Sequence, residues 1–480
     1  MNSPTNPVIR VDTAAGHVIR SVVARDEPER HRARAVSDLC SALPGVEAAE
    51  RMGAEIVRVA TTPDFHPGRP VPVGVVADVR GAVLPHLVGN DIGCGMRMIV
   101  LENVSEDDLE PLLDRNLRHV FFQGGRDVAL TGRDRQAVLR EGLPGLLESI
   151  GRGREGLLSR LDLEAAWGDL DRTCDAGVFA SCAVDPGFEH YARIDDDYRR
   201  DAILGTIGGG NHFVEFGVVD RVADGAYAAA CGLARGKVVI VVHSGSLDFG
   251  QRVGTAVREA LHSGRHGVPD YRILSHERNE PLFERYLDGH ANAANAAFAN
   301  RFLIGLAAVE ALRRTIGRDV EHRLVYDAPH NTVWQDGDVV RHRKGACPAR
   351  GVGTLGGSPY EWIGEPVILP GSMGDGTWLL RGLGNEEGLQ SSAHGAGRRL
   401  SRQEARSAAR LDASLRVVGP VDPNDPLLRG RADVVAELEG RLKEEAPGAY
   451  RPIEAVVDPM VEAGMVSRAA KIRPVLTVKG

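Results

Sequence analysis

The chain has few cysteines and no long apolar segment, and both deficits limit what it can be. Its 480 residues include six cysteines, none in a Cys-X-X-Cys pair, which excludes the dense disulfide scaffold of small secreted proteins. No apolar run approaches the roughly 20 residues that a membrane-spanning helix needs, and charged residues interrupt Met1–Glu29 where a signal peptide would need an apolar core. We therefore expect a cytoplasmic protein that has no membrane partner.

Lysine is also scarce, and the overall charge is negative. Lysine occurs only at Lys237, Lys344, Lys443, Lys471 and Lys479, so arginine supplies most of the positive charge. A net charge of −8 excludes a protein that attracts nucleic acid through its whole surface. Any contact with nucleic acid must therefore depend on a local basic patch.

Glycine, in contrast, is abundant, and most of five short motifs with a metal-binding or phosphate-binding side chain are rich in it. Imidazole and thiolate ligands beside one carboxylate favour a borderline transition metal over calcium or magnesium. Glycines let the backbone approach a ligand closely, and a nucleotide phosphate is the ligand that they suggest. The motifs are Asp91-Ile-Gly-Cys94, Gly210-Asn211-His212, His243-Ser-Gly-Ser246, His330-Asn331 and His394-Gly-Ala-Gly397. They predict a metalloenzyme that acts on phosphates.

Taken singly, each of these motifs has a less specific interpretation. Cys94 beside a turn aspartate is more often a buried structural thiol, and a lone histidine such as His212, His243 or His330 is more often a packed side chain. Asp91 and Cys94 lie three residues apart on a glycine-containing turn, so both can face one ion, and a thiolate can bridge two. Together the motifs favour a two-metal site, which can bind the oxygens of a phosphate under attack.

His394 requires a separate explanation because small residues and Arg398 surround it. A neutral imidazole can attack phosphorus if a carboxylate fixes its tautomer. Asp64, in the segment Pro63–Gly68, is the candidate for that carboxylate. His394 could instead be a further metal ligand, and Asp64 a plain turn residue before Pro-Gly. Both alternatives remain open at this point.

Hydrophobic patterning predicts how the motifs are presented. Strands are predicted at Lys237–His243, Leu324–Asp327 and Glu365–Pro370, each followed by a glycine-rich or histidine-containing motif. Alanine-rich Asp288–Ala311 predicts a helix packed in the core, and the periodic segment Arg133–Leu163 predicts a surface helix. Because the motifs extend from residue 64 to residue 479, they can meet only if residues 1–480 form one domain.

Further segments extend this set of motifs, and the whole set resembles one known family. The segments are Pro63–Gly68, Asp91–Arg97, Gly205–Glu215, His243–Ser246, His330-Asn331, His342–Gly345, Pro370–Met373, Ala393–Gly397, Glu444–Tyr450 and Val478–Gly480. In this order they are similar to the tRNA-splicing ligase RtcB family. The resemblance extends from about residue 60 to the final glycine.

The resemblance implies an α+β fold, with mixed β-sheets around a two-metal site and peripheral helices in one large domain. It also implies a GTP- and manganese-dependent RNA ligase that joins a 3′-phosphate or 2′,3′-cyclic phosphate end to a 5′-hydroxyl end, in tRNA splicing or RNA repair. RNA with such ends is the expected partner, and an archease-like activator is a second one. Other divalent metals, among them zinc and cobalt, favour the same ligands.

The resemblance also assigns roles to individual residues. Asp91, Cys94 and His212 would bind one manganese, and Cys94, His243 and His330 would bind the other. His394, oriented by Asp64, would take GMP from GTP; the RNA 3′-phosphate would then attack that GMP, and the 5′-hydroxyl would displace it. The guanine nucleotide would be bound by Asn211, Phe213, Glu215, Asn331, Pro370, Gly371, Ser372, Met373, Thr377, Gly395, Ala396, Gly397, Tyr450 and Lys479.

Several positions depart from the family pattern. Leu247 stands where the family usually has an arginine that would be expected to contact RNA phosphate, Cys347-Pro348 replaces threonine-arginine, and Thr377 replaces a common serine. The segment Leu84–Asp91 is similar to divergent paralogues found alongside release factor H, which favours RNA repair over tRNA splicing.

Two alternative functions follow from these departures. The first is a metal-dependent phosphohydrolase that opens cyclic phosphates without ligation, and Leu247 favours it. The second is a non-catalytic binder of RNA ends, for which the metal ligands would be unnecessary. Retention of His394 and Lys479 favours the ligase over both.

Overall fold

The computed structural model describes residues 8–13, 16–151, 154–194, 200–263, 272–412, 414–422 and 431–480. Helices occur beside sheets whose strands pair mostly antiparallel, and this arrangement confirms the α+β class. The strands are β1 Val8–Asp12, β2 Val18–Val22, β3 Glu55–His66, β4 Val73–Arg80, β5 Ala82–Val83, β6 Gly95–Leu101, β7 Phe213–Val222, β8 Val238–Ser244, β9 Leu274–Ser275, β10 His322–Pro329, β11 Asn331–Asp336, β12 Val339–Lys344, β13 Ala346–Pro348, β14 Pro366–Pro370, β15 Thr377–Gly382, β16 Ser391–Ala393, β17 Val417–Val418 and β18 Val466–Val478. The helices are α1 Glu29–Ala42, α2 Val46–Arg51, α3 Pro111–Phe122, α4 Gly132–Ser149, α5 Leu163–Gly168, α6 Gly225–Ala230, α7 Asp248–Ser263, α8 His276–Ile316, α9 Arg402–Ala408, α10 Ala432–Glu444 and α11 Ile453–Glu462.

Two large sheets contain most of the strands. The first has the order β1-β2-β3-β4-β12-β11, and the second has the order β10-β6-β8-β7-β18-β15-β14, with β17 beside β18. Both sheets are mixed, because β2 pairs with β3 and β17 pairs with β18 in parallel within otherwise antiparallel sheets. The short pair β13-β16 places Ala346 opposite Ala393, the residue before His394.

Helix α8 fills the interior beside the second sheet. All its residues from Gly289 to Leu312 are buried, and their many alanines let the backbone pack closely. The helix approaches Gly93 so closely that a Cβ atom at Gly93 would lie 2.7 Å from the Cβ of Ala297. The predicted core helix is confirmed, although α8 is longer than the alanine-rich segment. No helix among the described residues is long and apolar enough to cross a membrane.

The predicted strands are confirmed as β8, β10 and β14, but the helix predicted over Arg133–Leu163 was too long. Helix α4 ends at Ser149 and is interrupted at Gly142, whose φ is 61°. Leu157 and Leu158 are buried in a separate 3₁₀ turn. They continue the apolar periodicity after the helix has ended, and periodicity alone cannot detect that break.

Candidate active site

The register of the second sheet brings together side chains that are far apart in the sequence. His243, on β8, lies opposite Met96 of β6 on one side and Phe213 of β7 on the other. Asp91 and Cys94 precede β6, and His212 precedes β7. His330 follows β10, where its backbone N–H donates to the carbonyl of Cys94 over 2.7 Å. Five side chains therefore meet at one end of neighbouring strands; we call Asp91, Cys94, His212, His243 and His330 the metal group.

The metal group divides into two sets that share one thiol. The Sγ of Cys94 lies 3.3 Å from Nε2 of His212 and 3.2 Å from Nε2 of His243. The same His212 nitrogen lies 3.0 Å from Oδ2 of Asp91. Within each set, Asp91-Cys94-His212 and Cys94-His243-His330, the potential ligand atoms all lie within 4.8 Å of one another. A thiolate at Cys94 could therefore bridge two cations.

Burial sets the protonation of these ligands. Burial, with the neighbouring Asp91, raises the pKa of Cys94 well above the ordinary value of a thiol. Burial, followed by the neighbouring histidines, lowers the pKa of His243 and of His330 well below the ordinary value, so both imidazoles are neutral. Neutral imidazoles have a lone pair to donate, and a divalent cation would stabilise the thiolate that burial disfavours.

The hydrogen bonds of the metal group also fit a cation. Nδ1 of His243 lies 3.0 Å from the carbonyl of Asn211 and donates to it, which leaves the Nε2 lone pair facing Cys94. Nδ1 of His212 and Nδ1 of His330 are buried and have no hydrogen-bond partner among the described residues. Sulfur, imidazole and one carboxylate are donors that a borderline transition metal favours.

His394 and Asp64 lie beside the metal group, and we call them the nucleophile pair after the role that the resemblance predicts for them. His394 follows β16, and its Nδ1 lies 2.6 Å from Oδ2 of Asp64. Thr62 donates to the other carboxylate oxygen over 2.5 Å. Burial alone would raise the pKa of Asp64, but the charge and hydrogen bond of His394, with the bond from Thr62, lower it below its usual range. The His394 ring lies 4.8 Å from that of His330, centroid to centroid.

Two glycines allow the backbone to come close to the nucleophile pair. Gly345 has a φ of 61°, and a Cβ atom there would lie 3.0 Å from Cε1 of His394 and 2.2 Å from the Val73 side chain. Gly397 has a φ of 68°, and its Cβ would lie 2.8 Å from the carbonyl oxygen of Asp64. Any larger side chain at either position would displace one member of the pair.

A buried arginine, Arg451, packs against the loop that contains Gly397. The guanidinium of Arg451 lies beneath Gly397, where a Cβ atom would come within 2.6 Å of Nη1. It donates to Glu27 over 2.9 Å and to the carbonyl of Phe65 over 3.4 Å. Glu27 precedes α1 and is 424 residues away along the chain. The N-terminal part of the chain therefore helps to hold the loop that follows His394.

A cavity of about 260 Å³ opens in front of the nucleophile pair. All the residues predicted to bind the guanine nucleotide line it except Asn331 and Thr377. Asn331 instead donates to the carbonyl of Asp91 over 3.1 Å and accepts from the N–H of Gly345 over 2.7 Å. The Thr377 hydroxyl is buried behind the cavity, 3.5 Å from Glu215. Both residues support the walls of this cavity and do not line it.

Sequence reasoning missed other residues of the cavity, among them Arg402, Glu445 and Thr477. Thr477 donates to Oε2 of Glu215 over 3.1 Å, and Glu445 accepts a hydrogen bond from the Tyr450 hydroxyl. The ammonium of Lys479 lies 3.7 Å from Glu445. Arginine is so frequent in this chain that Arg402 gives no signal of its own. Glu445 lies in the segment Glu444–Tyr450, and its spacing from Tyr450 is the one sequence feature that could have indicated its role.

Comparisons with known proteins give a consistent result. The family model described as tRNA-splicing ligase RtcB matches residues 47–480. A tRNA-splicing ligase RtcB from Pyrobaculum aerophilum is 30% identical over 87% of this chain and 87% of its own length. One from Thermococcus kodakarensis is 33% identical over 87% of this chain and 86% of its own. An RNA-splicing ligase RtcB from Mycobacterium tuberculosis is 32% identical over 88% of this chain and 98% of its own.

Proposed function

The chain belongs to the tRNA-splicing ligase RtcB family, and we propose that it is a GTP- and manganese-dependent RNA ligase. It joins an RNA 3′-phosphate or 2′,3′-cyclic phosphate end to a 5′-hydroxyl end, in RNA repair or tRNA splicing, and an archease-like protein is a candidate activator. One observation supports this most strongly. His394 lies between the buried carboxylate of Asp64 and the ring of His330, at the edge of a cavity of nucleotide-binding character.

The nucleophile pair accounts for the first chemical step. Donation from Nδ1 of His394 to Asp64 leaves the lone pair on Nε2. That nitrogen attacks the α-phosphorus of GTP, an N–P bond forms, and the bond to pyrophosphate breaks. An oxygen of the RNA 3′-phosphate then attacks the same phosphorus and releases His394. Finally the 5′-hydroxyl attacks the activated RNA phosphorus, loses its proton, and expels GMP. A cyclic phosphate end is first opened by water.

The two sets of the metal group fit two manganese ions. Asp91, Cys94 and His212 would hold one, and Cys94, His243 and His330 would hold the other, with the Cys94 sulfur shared. When bound, the ions would withdraw charge from the phosphate under attack. Zinc and cobalt favour the same donors.

Two residues of the cavity lining, Glu215 and Tyr450, suit a guanine base. Burial raises the pKa of Glu215 to about 7, although Thr477, Thr377 and Lys479 oppose the shift. Its carboxyl group can accept the N–H groups on the edge of guanine, which adenine lacks in that arrangement. The Tyr450 ring offers an aromatic face in the same cavity. These contacts support GTP over ATP as the nucleotide.

Leu247 favours a second candidate, the phosphohydrolase without ligase activity. Its φ of 54° is left-handed, which costs a non-glycine residue roughly 1–2 kcal/mol. Its side chain lies against Gly208, where a Cβ atom would be 2.9 Å from Cδ2. An apolar side chain here gives an RNA phosphate no cation to contact. A weaker hold on RNA would impair the joining of two ends more than the opening of one cyclic phosphate end.

A two-stage assay tests the proposal. We expect labelled GTP and manganese to give an acid-labile adduct, the adduct to disappear in His394→Ala, and added RNA ends to discharge it into ligated product. Opening of cyclic phosphate ends without an adduct would establish the phosphohydrolase instead. RNA-end binding that persists without any metal, and with neither activity, would establish a non-catalytic binder.

A further inference from the structure

A second cavity, of about 310 Å³, lies outside the proposed active site and has a strongly basic lining. Its charged residues are Arg126, Arg160, Arg313 and Arg314, opposed only by Asp127 and Glu310. This excess of positive charge is notable in a chain whose net charge is −8. It is the kind of local basic patch that the composition requires for any contact with nucleic acid.

One carboxylate fixes two of these arginines at the wall of the cavity. Glu310 accepts from Nε and Nη2 of Arg313 over 2.7 and 2.8 Å, and from Nε of Arg314 over 2.7 Å. Both terminal nitrogens of Arg314 remain outside these bonds, and its side chain is 52% exposed. A guanidinium held in this way can present its outer N–H groups to a phosphate with little further loss of freedom.

Arg160 is the cation with most freedom to accept a new partner. It is exposed, and no ion pair joins it to any residue in the described part of the chain. Arg126, by contrast, is held by the carbonyls of Asp201 and Ala202 and by the Thr206 hydroxyl. The cavity therefore combines fixed cations with one that an anion would order.

A short stretch of chain joins the cavity to the metal group. Thr206, which Arg126 contacts, lies six residues before His212, and six residues span at most about 20 Å. The hydroxyl of Ser244, next to His243, also donates to the carbonyl of Ile207, the residue after Thr206, over 2.8 Å. A strand whose end is held at the metal group could reach the cavity after a few nucleotides.

We infer that this cavity binds a backbone phosphate of the RNA strand, several nucleotides from the end that reacts. The inference rests on the proposed function, since it assumes an RNA substrate. Guanidinium forks match phosphate oxygens, and no aromatic side chain lines the cavity, so it has no stacking platform for a base. The contact therefore positions the strand and does not read its sequence.

Affinity for RNA at several salt concentrations, measured without GTP, tests the inference. The probe is a single-stranded RNA long enough to extend well beyond the metal group and ending in a 3′-phosphate. A trinucleotide with the same end serves as the short probe. Arg160→Ala removes one cavity cation, and Arg235→Ala is the matched control, because Arg235 is also exposed but precedes β8 at the end opposite His243.

We expect Arg160→Ala to weaken binding of the long RNA and to reduce the slope of log affinity against log salt by about 1. Arg314→Ala should act in the same direction, and Arg235→Ala should not. The trinucleotide should bind all variants equally. Equal salt slopes for the wild type and Arg160→Ala, or an equal loss in Arg235→Ala, would overturn the inference.

Failure of the proposed function would look different. Transfer of GMP to His394 needs no RNA, so Arg160→Ala should keep the wild-type rate of adduct formation. A wild-type protein that forms no adduct but shows the expected RNA affinities would contradict the proposed ligase function and would still support RNA binding by the cavity. If the wild type forms the adduct but Arg160→Ala binds the long RNA as tightly as the wild type does, the ligase function stands and the proposed role of the cavity is wrong.

Discussion

The metal group and the nucleophile pair lie side by side, but only one of them is complete within the protein. In the nucleophile pair, His394 donates to Asp64, and Thr62 satisfies the other carboxylate oxygen. In the metal group, Nε2 of His212 lies between the Cys94 sulfur and the Asp91 carboxylate, and burial raises the pKa of Cys94, which disfavours the thiolate that a cation would bind. The hydrogen bonds of the nucleophile pair are thus complete within the protein, whereas the metal group presents donors that a cation would complete.

Because of this difference, the metal group and the nucleophile pair should respond differently to metal binding and to substitution. Ligands that are desolvated and unpaired are stabilised when a cation binds, so metal loading should stabilise the fold by mass action. The nucleophile pair depends instead on a hydrogen bond and on close packing, both of which substitution can remove without touching the metal ligands. Each half should therefore fail separately.

The largest separation is expected from Asp64→Asn. Asparagine can donate to His394 as well as accept, so the imidazole loses the tautomer that leaves Nε2 free. We expect formation of the guanylyl adduct to slow by on the order of 10³- to 10⁴-fold, as when a carboxylate that orients a catalytic histidine is replaced. Manganese content, measured on the same sample, should stay at the wild-type value. Loss of metal together with activity would show that the two halves are not separate.

A smaller effect is expected from Gly345→Ala. The new methyl group would approach the His394 ring and the Val73 side chain, and a displacement of about 1 Å can cost on the order of 10² in rate. Gly337→Ala is the matched control, because Gly337 has a φ of 62° and no atom within 4 Å of its Cβ position. Both variants carry the same backbone cost, so only Gly345→Ala should slow adduct formation. Equal rates in the two variants would contradict the close-packing account.

The smallest effect concerns buried histidines that belong to neither half. Burial lowers the pKa of His290 to about 3 and that of His342 to about 4. Both rings are neutral in the fold and accept backbone N–H groups, from Val333 and Leu84 respectively. Their stabilising effect is complete above pH 6.5. It is lost as the pH falls from 6.5 towards about 3 for His290 and about 4 for His342, because the unfolded chain takes up protons first.

Denaturant unfolding at a series of pH values, with saturating manganese, measures this loss. Each histidine contributes at most about 1.4 kcal/mol per pH unit. His290→Gln keeps an acceptor for Val333 but does not titrate, so the slope below pH 6.5 should become shallower. An unchanged slope would assign the acid sensitivity to other groups.

The sequence predicted local features of this molecule well and long-range ones poorly. The strand ending at His243 is a run of apolar β-branched residues, and α8 is rich in alanine, so each carries its own signal. The 3.2 Å between Cys94 and His243 depends instead on the pairing of β6 with β8. No pattern within either segment encodes that pairing. That these residues meet was inferred from the shared chemistry of the motifs and from the resemblance of the whole set.

The same reasoning explains what was missed around the nucleophile pair. Arg451 is one arginine among many, and its partner Glu27 lies 424 residues away. The resemblance predicts that Asn331 contacts the nucleotide, and this stays a prediction; in the structure its amide bonds to Asp91 and Gly345. A motif identifies which residues belong to a site, whereas packing decides which of them face the cavity.

The number of metal ions that the protein binds shows whether two cations share the thiol of Cys94. Equilibrium titration of the purified protein with manganese, followed by electron paramagnetic resonance, should give two tight sites in the wild type. Asp91→Ala and His330→Ala should each lose one, because each belongs to only one of the two sets. Cys94→Ala should weaken both sites together. Two undiminished sites in Cys94→Ala would contradict the account.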